Sequence, residues 1–302
     1  MWRRLRRATR GPRNALLAAA IGGLGRLLGA LPVAAALGVG RGLGAVAHRL
    51  LAGPRRLALA HLGIAFPELT PAERAQVARR TFCHAGESFA ELVVFPKLVR
   101  RPDYVQVDGA AAFDVALAAG RGVIAVSGHC GNWELLAAWM AAAGYPVTVI
   151  VRRVNDVRFH SLIERFRTGA GVEILARDAP QFLGAVREAL RRNRVVAILI
   201  DQDTRGAGVF VPFFGRLART PPGAALLALR SGAPLATAFI RRRAEGGHVI
   251  RIAPVAFAAR KGRASVTELT ASLTAAIERQ IRSAPAEWVW WHERWRRRPD
   301  GP

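Results

Sequence analysis

Two short, uninterrupted apolar runs, Gly122 to Ser127 and Val195 to Ile200, constrain this chain more than any other feature. Successive side chains of a strand point to opposite faces, so a strand with one wet face alternates apolar and polar residues. A run without alternation needs apolar cover on both sides, as in the parallel sheets of α/β proteins. Further strand-like runs occur at Pro146 to Val151, Val172 to Leu175, Pro234 to Ile240 and Val249 to Phe257. Helical patterns separate them at Trp133 to Ala143, Val157 to Thr168, Ala179 to Arg192, Pro222 to Ser231 and Val266 to Arg282. The expected fold is α/β: a mixed central sheet covered by helices.

A helical lead-in is expected over residues 54–99, ahead of an α/β core over 100–302. Within it, Thr70-Pro71-Ala72-Glu73 places a capping threonine before a proline at the first helical position and a glutamate in the first turn. That helix is expected to run to about Leu92. Residues 1–53 form a separate basic and apolar segment. Arginines crowd Met1 to Arg13, and an Ala-, Leu- and Gly-rich stretch follows from Ala15 to Leu51.

Lys+Arg is 45 and Asp+Glu is 21, a net charge of +24 carried almost wholly by arginine. Such a surface attracts polyanions: nucleic acid, anionic headgroups or an acidic carrier protein. The apolar N-terminal stretch speaks against nucleic acid. It also reads poorly as a cleaved signal peptide, because apolar sequence continues past the small residues at Leu31 to Ala36. As a spanning helix it would set Arg26 in mid-bilayer, at about 2.5–3.5 kcal/mol on insertion scales. We therefore read residues 1–53 as a helical anchor that dips into or lies along the cytoplasmic face of the inner membrane. Cys83 and Cys130 offer neither a disulfide framework nor a zinc spacing.

The sharpest local pattern is Ser127-Gly128-His129-Cys130-Gly131-Asn132-Trp133-Glu134, where a buried strand gives way to a helix. Ligands of open α/β sheets gather beyond the carboxyl ends of strands. Asn132 can cap the helix, whose first N–H groups can support a developing negative charge. Across a strand-turn-helix, the Glu134 carboxylate can reach one nitrogen of His129 and leave the other as a base. The same residues also fit a buried capping histidine with a solvated glutamate. Cys130 suggests an acyl-cysteine, but neighbours on a turning chain point apart. The remaining histidines receive no role. The tryptophans at 288, 290, 291 and 295 read as core or interfacial packing, and Arg294 to Arg298 as a solvated face.

His129 and Glu134 in this setting resemble the H-x4-D/E motif of glycerolipid and lipid A acyltransferases. Other segments, in order, resemble the late lipid A acyltransferase family. These are Val151 to Asn155, Asp201-Gln202-Asp203 with Val211-Pro212-Phe213-Phe214-Gly215, Pro221 to Pro234, and the tryptophan-rich Ala286 to Trp295. The resemblance covers about residues 54–298 and implies a glycerolipid acyltransferase-like fold. It implies His129 as base and Glu134 as its partner, with Arg152, Asn155, Asp201 and Asp203 on substrate. A proline often follows the family's arginine; here Arg153 stands there, so the role can fall on Arg152 or Arg153. Arg167 is either a second headgroup contact or a surface residue. The implied reaction needs neither cofactor nor metal. It moves a fatty acyl chain from acyl carrier protein or acyl-CoA to a hydroxyl of a lipid A precursor. Another lipid acceptor, or a non-catalytic membrane scaffold, are the alternatives.

Overall fold

The structure is a computed structural model, and it describes residues 22–152, 157–203, 206–257 and 262–299. Nine strands are assigned among them: β1 (Val105–Asp108), β2 (Val123–Ser127), β3 (Val147–Val151), β4 (Glu173–Ala176), β5 (Val195–Leu199), β6 (Val209–Phe213), β7 (Arg216–Thr220), β8 (Leu235–Arg242) and β9 (His248–Pro254). Seven form one sheet in the order β1-β9-β8-β2-β5-β3-β4. From β8 to β4 the strands are parallel; β9 runs antiparallel to β8 and carries β1 parallel to itself. The sheet is mixed, as the apolar runs imply.

All five residues of β2 are buried, which explains its lack of polar alternation. Its side chains divide by parity between two cores. Ile124 and Val126 pack with Val196 and Ile198 on one face. Val123 and Ala125 pack with Val195 and Ala197 on the other. The helices are α1 (22–30), α2 (Val33–Leu50), α3 (Ala52–Ala65), α4 (Pro71–Leu98), α5 (Ala111–Ala118), α6 (Trp133–Ala142), α7 (Val157–Gly169), α8 (Phe182–Arg191), α9 (Gly223–Ser231) and α10 (Arg263–Ser283). Helices α8, α9 and α10 cover the first face, and α4, α5 and α6 the second.

Helix α4 opens on a full capping box: Thr70 N–H donates to Glu73 Oε2 at 2.8 Å, and Glu73 N–H to Thr70 Oγ1 at 3.3 Å. It runs past the expected end near Leu92, through Pro96, to Leu98. The Val211 to Gly215 segment is the heart of a β6–β7 hairpin. Its two-residue turn sets Phe214 at φ 51° and Gly215 at φ 71°. Phe214 holds that left-handed conformation because its N–H donates to Glu278 on α10 at 2.7 Å and the Arg282 guanidinium lies over its ring at 4.5 Å.

Helix α2 lies against α4 through Gly40, Gly44 and Gly86. A Cβ on Gly86 would sit 2.0 Å from the Gly40 carbonyl oxygen, so only glycine permits this approach. Arg55 reaches back to the end of α2, donating to the His48 and Arg49 carbonyls at 2.9 Å. Among the described residues no helix is long and apolar enough to cross a membrane. The basic run at Arg3 to Arg13 lies outside the described residues.

Candidate active site

β2 and β5 are adjacent and parallel, with Ser127 opposite Leu199 at their carboxyl ends. Two residues beyond each end come His129 and Asp201, whose side chains meet. His129 Nδ1 lies 2.8 Å from Asp201 Oδ1, and the His129 backbone N–H donates to Oδ2 at 2.8 Å. Trp288 Nε1–H donates to the same Oδ2 at 2.7 Å. Burial alone would raise the Asp201 carboxyl, but His129 and these donors hold it down at about 2. An ionised Asp201 accepts the Nδ1–H hydrogen bond, which leaves Nε2 as the ring nitrogen free to act as a base. The imidazole is part-exposed, at 23%, and Trp133 packs edge-on against it with ring centroids 4.9 Å apart.

The expected His129–Glu134 pairing is not what the structure has. Glu134 sits in the first turn of α6 and turns toward α7, where both its oxygens take Arg167: Nε to Oε2 at 2.8 Å and Nη2 to Oε1 at 2.5 Å. Five residues along the chain do not decide the partner here; strand register does. Asp201, expected at the acceptor, is the carboxylate behind the histidine. Arg167 is neither a free surface arginine nor an uncommitted headgroup contact.

Arg152 is exposed and lines the cleft at the site. Asn155 and Arg153 lie outside the described residues. Asp203 also borders the cleft, but its carboxylate is buried among cations: Arg296 at 3.4 Å, Arg219 at 3.6 Å and Arg297 at 3.9 Å. Cys130 is buried, and burial, with Asp201 adding to it, pushes its thiol well above the ordinary range. Its backbone bridges Trp288. It is a poor nucleophile where it stands.

The cleft holds about 1300 Å³ and follows both faces of the sheet away from His129. On one face Leu136, Ala137 and Val149 line it; on the other, Leu183, Leu190 and Leu226. Arg152, Arg167 and Arg177 border it as well. Among the described residues no group of three or more His, Cys, Asp or Glu side chains is placed to hold a metal ion.

Arg294 does not belong to a solvated face. It has no exposed surface, donates to the Arg219 carbonyl and to Thr220 Oγ1 at 2.6 Å, and lies over Phe213 at 4.9 Å. His248, given no role for want of a nearby carboxylate, is fully buried 2.7 Å from Glu91. Trp288 and Trp290 are core residues, and the indole N–H of Trp288 is also a site donor. The tryptophan-rich tail was a visible signal, but only the fold shows that Trp288 reaches Asp201.

A buried, mostly parallel sheet, a histidine–carboxylate pair beyond two strand ends and a cleft with apolar walls and an arginine border beside them make a site suited to transfer of an acyl group. Residues 5–297 match the family described as bacterial lipid A biosynthesis acyltransferase, and the chain belongs to that family. It is 28% identical to the lipid A biosynthesis lauroyltransferase of Escherichia coli over 277 residues, 90% of this chain and 88% of that protein. It is 26% identical to the palmitoleoyltransferase of the same organism over 87% of this chain and 85% of that one. Similarity to the phosphatidylinositol mannoside acyltransferase of Mycobacterium tuberculosis is higher, at 34%, but spans 46% of this chain and 44% of that protein.

Proposed function

We propose that this protein transfers a fatty acyl chain from a thioester, carried by acyl carrier protein or CoA, to a hydroxyl of a lipid A precursor, with His129 as general base. The observation that carries the reading is the His129–Asp201 pair, whose imidazole opens on a cleft with leucine-lined walls. Nε2 takes the hydroxyl proton as oxygen attacks the thioester carbon. The carbon–oxygen bond forms, the carbon–sulfur bond breaks, and the imidazolium returns its proton to the leaving thiolate. Asp201 steadies the imidazolium and fixes the ring. The N-terminus of α6, which starts directly after this loop, offers positive dipole to the oxyanion.

Arginine at the cleft suits a phosphorylated headgroup, with Arg152 the contact we assign. A mannosylated phosphatidylinositol is the second acceptor class, favoured by the higher local identity to the mycobacterial relative. We place the reaction at the cytoplasmic face of the inner membrane. Supporting this, Val39, Leu43, Val46 and Leu50 form an exposed stripe on α2, beside the exposed Arg41, Arg49 and Arg56.

The test is to incubate purified protein with a tetra-acylated lipid A precursor, or with a mannosylated phosphatidylinositol, and a panel of acyl donors, and to read the product mass. A product gained by one acyl chain with the parent, and lost with His129→Ala, is expected. Equal turnover by His129→Ala refutes the mechanism; acylation of the mannolipid alone replaces the acceptor.

A further inference from the structure

Glu91 lies about two turns before the end of α4, with no exposed surface. It is surrounded by donors. Oε1 accepts from Tyr104 Oη at 2.7 Å, from Arg242 Nη1 at 2.8 Å and from His248 Nε2 at 2.7 Å. Oε2 accepts from Asn132 Nδ2 at 2.8 Å. Burial by itself would raise its carboxyl, yet His248, Arg242 and Asn132 hold it well below the usual range. A carboxylate stripped of water this completely persists only where such partners replace its hydration.

Those partners converge on the two halves of the candidate dyad. Asn132 closes the loop that carries His129. Its amide also donates to the Ser88 carbonyl at 3.2 Å, and its oxygen caps α6 through the Leu135 N–H at 3.1 Å. Arg242 leads to the other half. Its backbone N–H donates to the Glu287 carboxylate at 3.2 Å. The Glu287 carbonyl accepts the Gly131 N–H at 2.8 Å, and the next residue, Trp288, donates to Asp201 at 2.7 Å. The loop is fitted too closely to absorb a shift: a Cβ on Gly131, at φ 61°, would stand 2.1 Å from the Ile240 carbonyl oxygen.

We propose that Glu91 is a positioning residue for acyl transfer. Its buried carboxylate, by holding Asn132 and Arg242 together, fixes both the His129 loop and the Trp288 tether of Asp201. This rests on the His129–Asp201 reading above. Glu91 touches neither substrate nor the reacting atoms. Its charge matters because an amide of the same shape cannot accept on both sides. Whichever way a glutamine is turned, its NH2 faces either Asn132 or the cluster of Tyr104, Arg242 and His248, and one tether opens.

The experiment is a double-mutant cycle on the full chain, with palmitoyl-CoA and the tetra-acylated precursor as probes. Glu91→Gln is measured alone and in an Asp201→Asn background. Displacing a reacting group by about 1 Å can cost about 10²-fold, so a kcat loss of about tenfold or more is expected, with KM for palmitoyl-CoA within about twofold of the parent. In the Asp201→Asn background, where the dyad is already lost, the same change should lower kcat by less than about twofold. Tyr104→Phe, which removes one donor and keeps the carboxylate, gives a milder version of the same cycle should Glu91→Gln not fold. An equal fold-loss in both backgrounds, or a loss confined to KM, overturns the positioning role. An active His129→Ala overturns the dyad itself, so the two failures are distinguishable.

Discussion

His129 and Asp201 stand 72 residues apart in the chain, the same offset that registers Ser127 on Leu199 between β2 and β5. The parallel register, continued two residues past the strand ends, brings imidazole and carboxylate together. Hence removing either member disables the same unit. His129→Ala should lower kcat by about 10²–10⁴-fold, and Asp201→Asn by at least about tenfold through loss of the tautomer control that a buried carboxylate provides. The double variant should be little worse than His129→Ala, because residues that act as a unit are not additive. Steady-state kinetics on the three variants checks this; a multiplicative loss separates the two residues.

Glu134 and Arg167 should couple to each other. Their side chains are mostly withdrawn from water, 15% and 17% exposed, and two hydrogen bonds join them. Glu134→Ala and Arg167→Ala should each cost about 1.5–3 kcal/mol, the range for hydrogen bonds to charged groups. The double variant should cost well under the sum. Urea unfolding of all three measures the coupling; additive losses mean the pair contributes no interaction energy. In the same series, a Glu134→Gln protein that keeps Arg167 in place should retain the His129–Asp201 geometry.

Much of this fold was readable in advance. Continuous apolar runs announce buried strands, and the capping box at Thr70 announces α4. The β6–β7 hairpin was missed because its turn uses Phe214 at positive φ, held by Glu278 from a distant helix, and no local signal marks that. The site was half legible: His129 and Asp201 were both singled out, but sequence spacing pointed to Glu134 as the partner. Spacing measures distance along one chain, whereas the contact runs across two strands. Glu91 and His248 escaped notice for the same reason, since they meet across 157 residues.

Glu287 should give stability a pH dependence of its own. Burial pushes its carboxyl up to about 7, against the opposing pull of the Arg242 N–H. A carboxyl raised on folding contributes stability that is present below its unfolded value, about 4.3, and is lost as pH rises through about 7. The histidines lowered by burial, among them His61 and His292, act oppositely, losing stability as pH falls. The difference between parent and Glu287→Gln isolates the glutamate. The parent's Tm relative to Glu287→Gln should fall between pH 5 and pH 8. A difference that is flat across that range contradicts a raised Glu287.

The stripe on α2 makes the membrane proposal testable without knowing the acceptor. Val39, Leu43, Val46 and Leu50 recur at intervals of three and four, the spacing of one helix face. They are 40%, 41%, 49% and 74% exposed, while an adjoining face, through Gly40 and Gly44, is fixed against α4. The helix cannot roll to hide these side chains from solvent, which makes them a fit surface for the proposed membrane contact. Burying such a side chain is worth about 1.5–3 kcal/mol when complete. Exchanging two for charge should therefore weaken partitioning by at least about tenfold. Leu43→Glu with Leu50→Glu should leave the fold and its Tm nearly unchanged, because neither residue packs in the core. Co-sedimentation with phosphatidylglycerol vesicles should then fall sharply. Salt alone should reduce parent binding only in part, since it screens arginine–lipid attraction and leaves apolar burial intact. Binding that vanishes in high salt, and that the double variant retains at low salt, would assign the contact to arginine alone and remove the stripe from it.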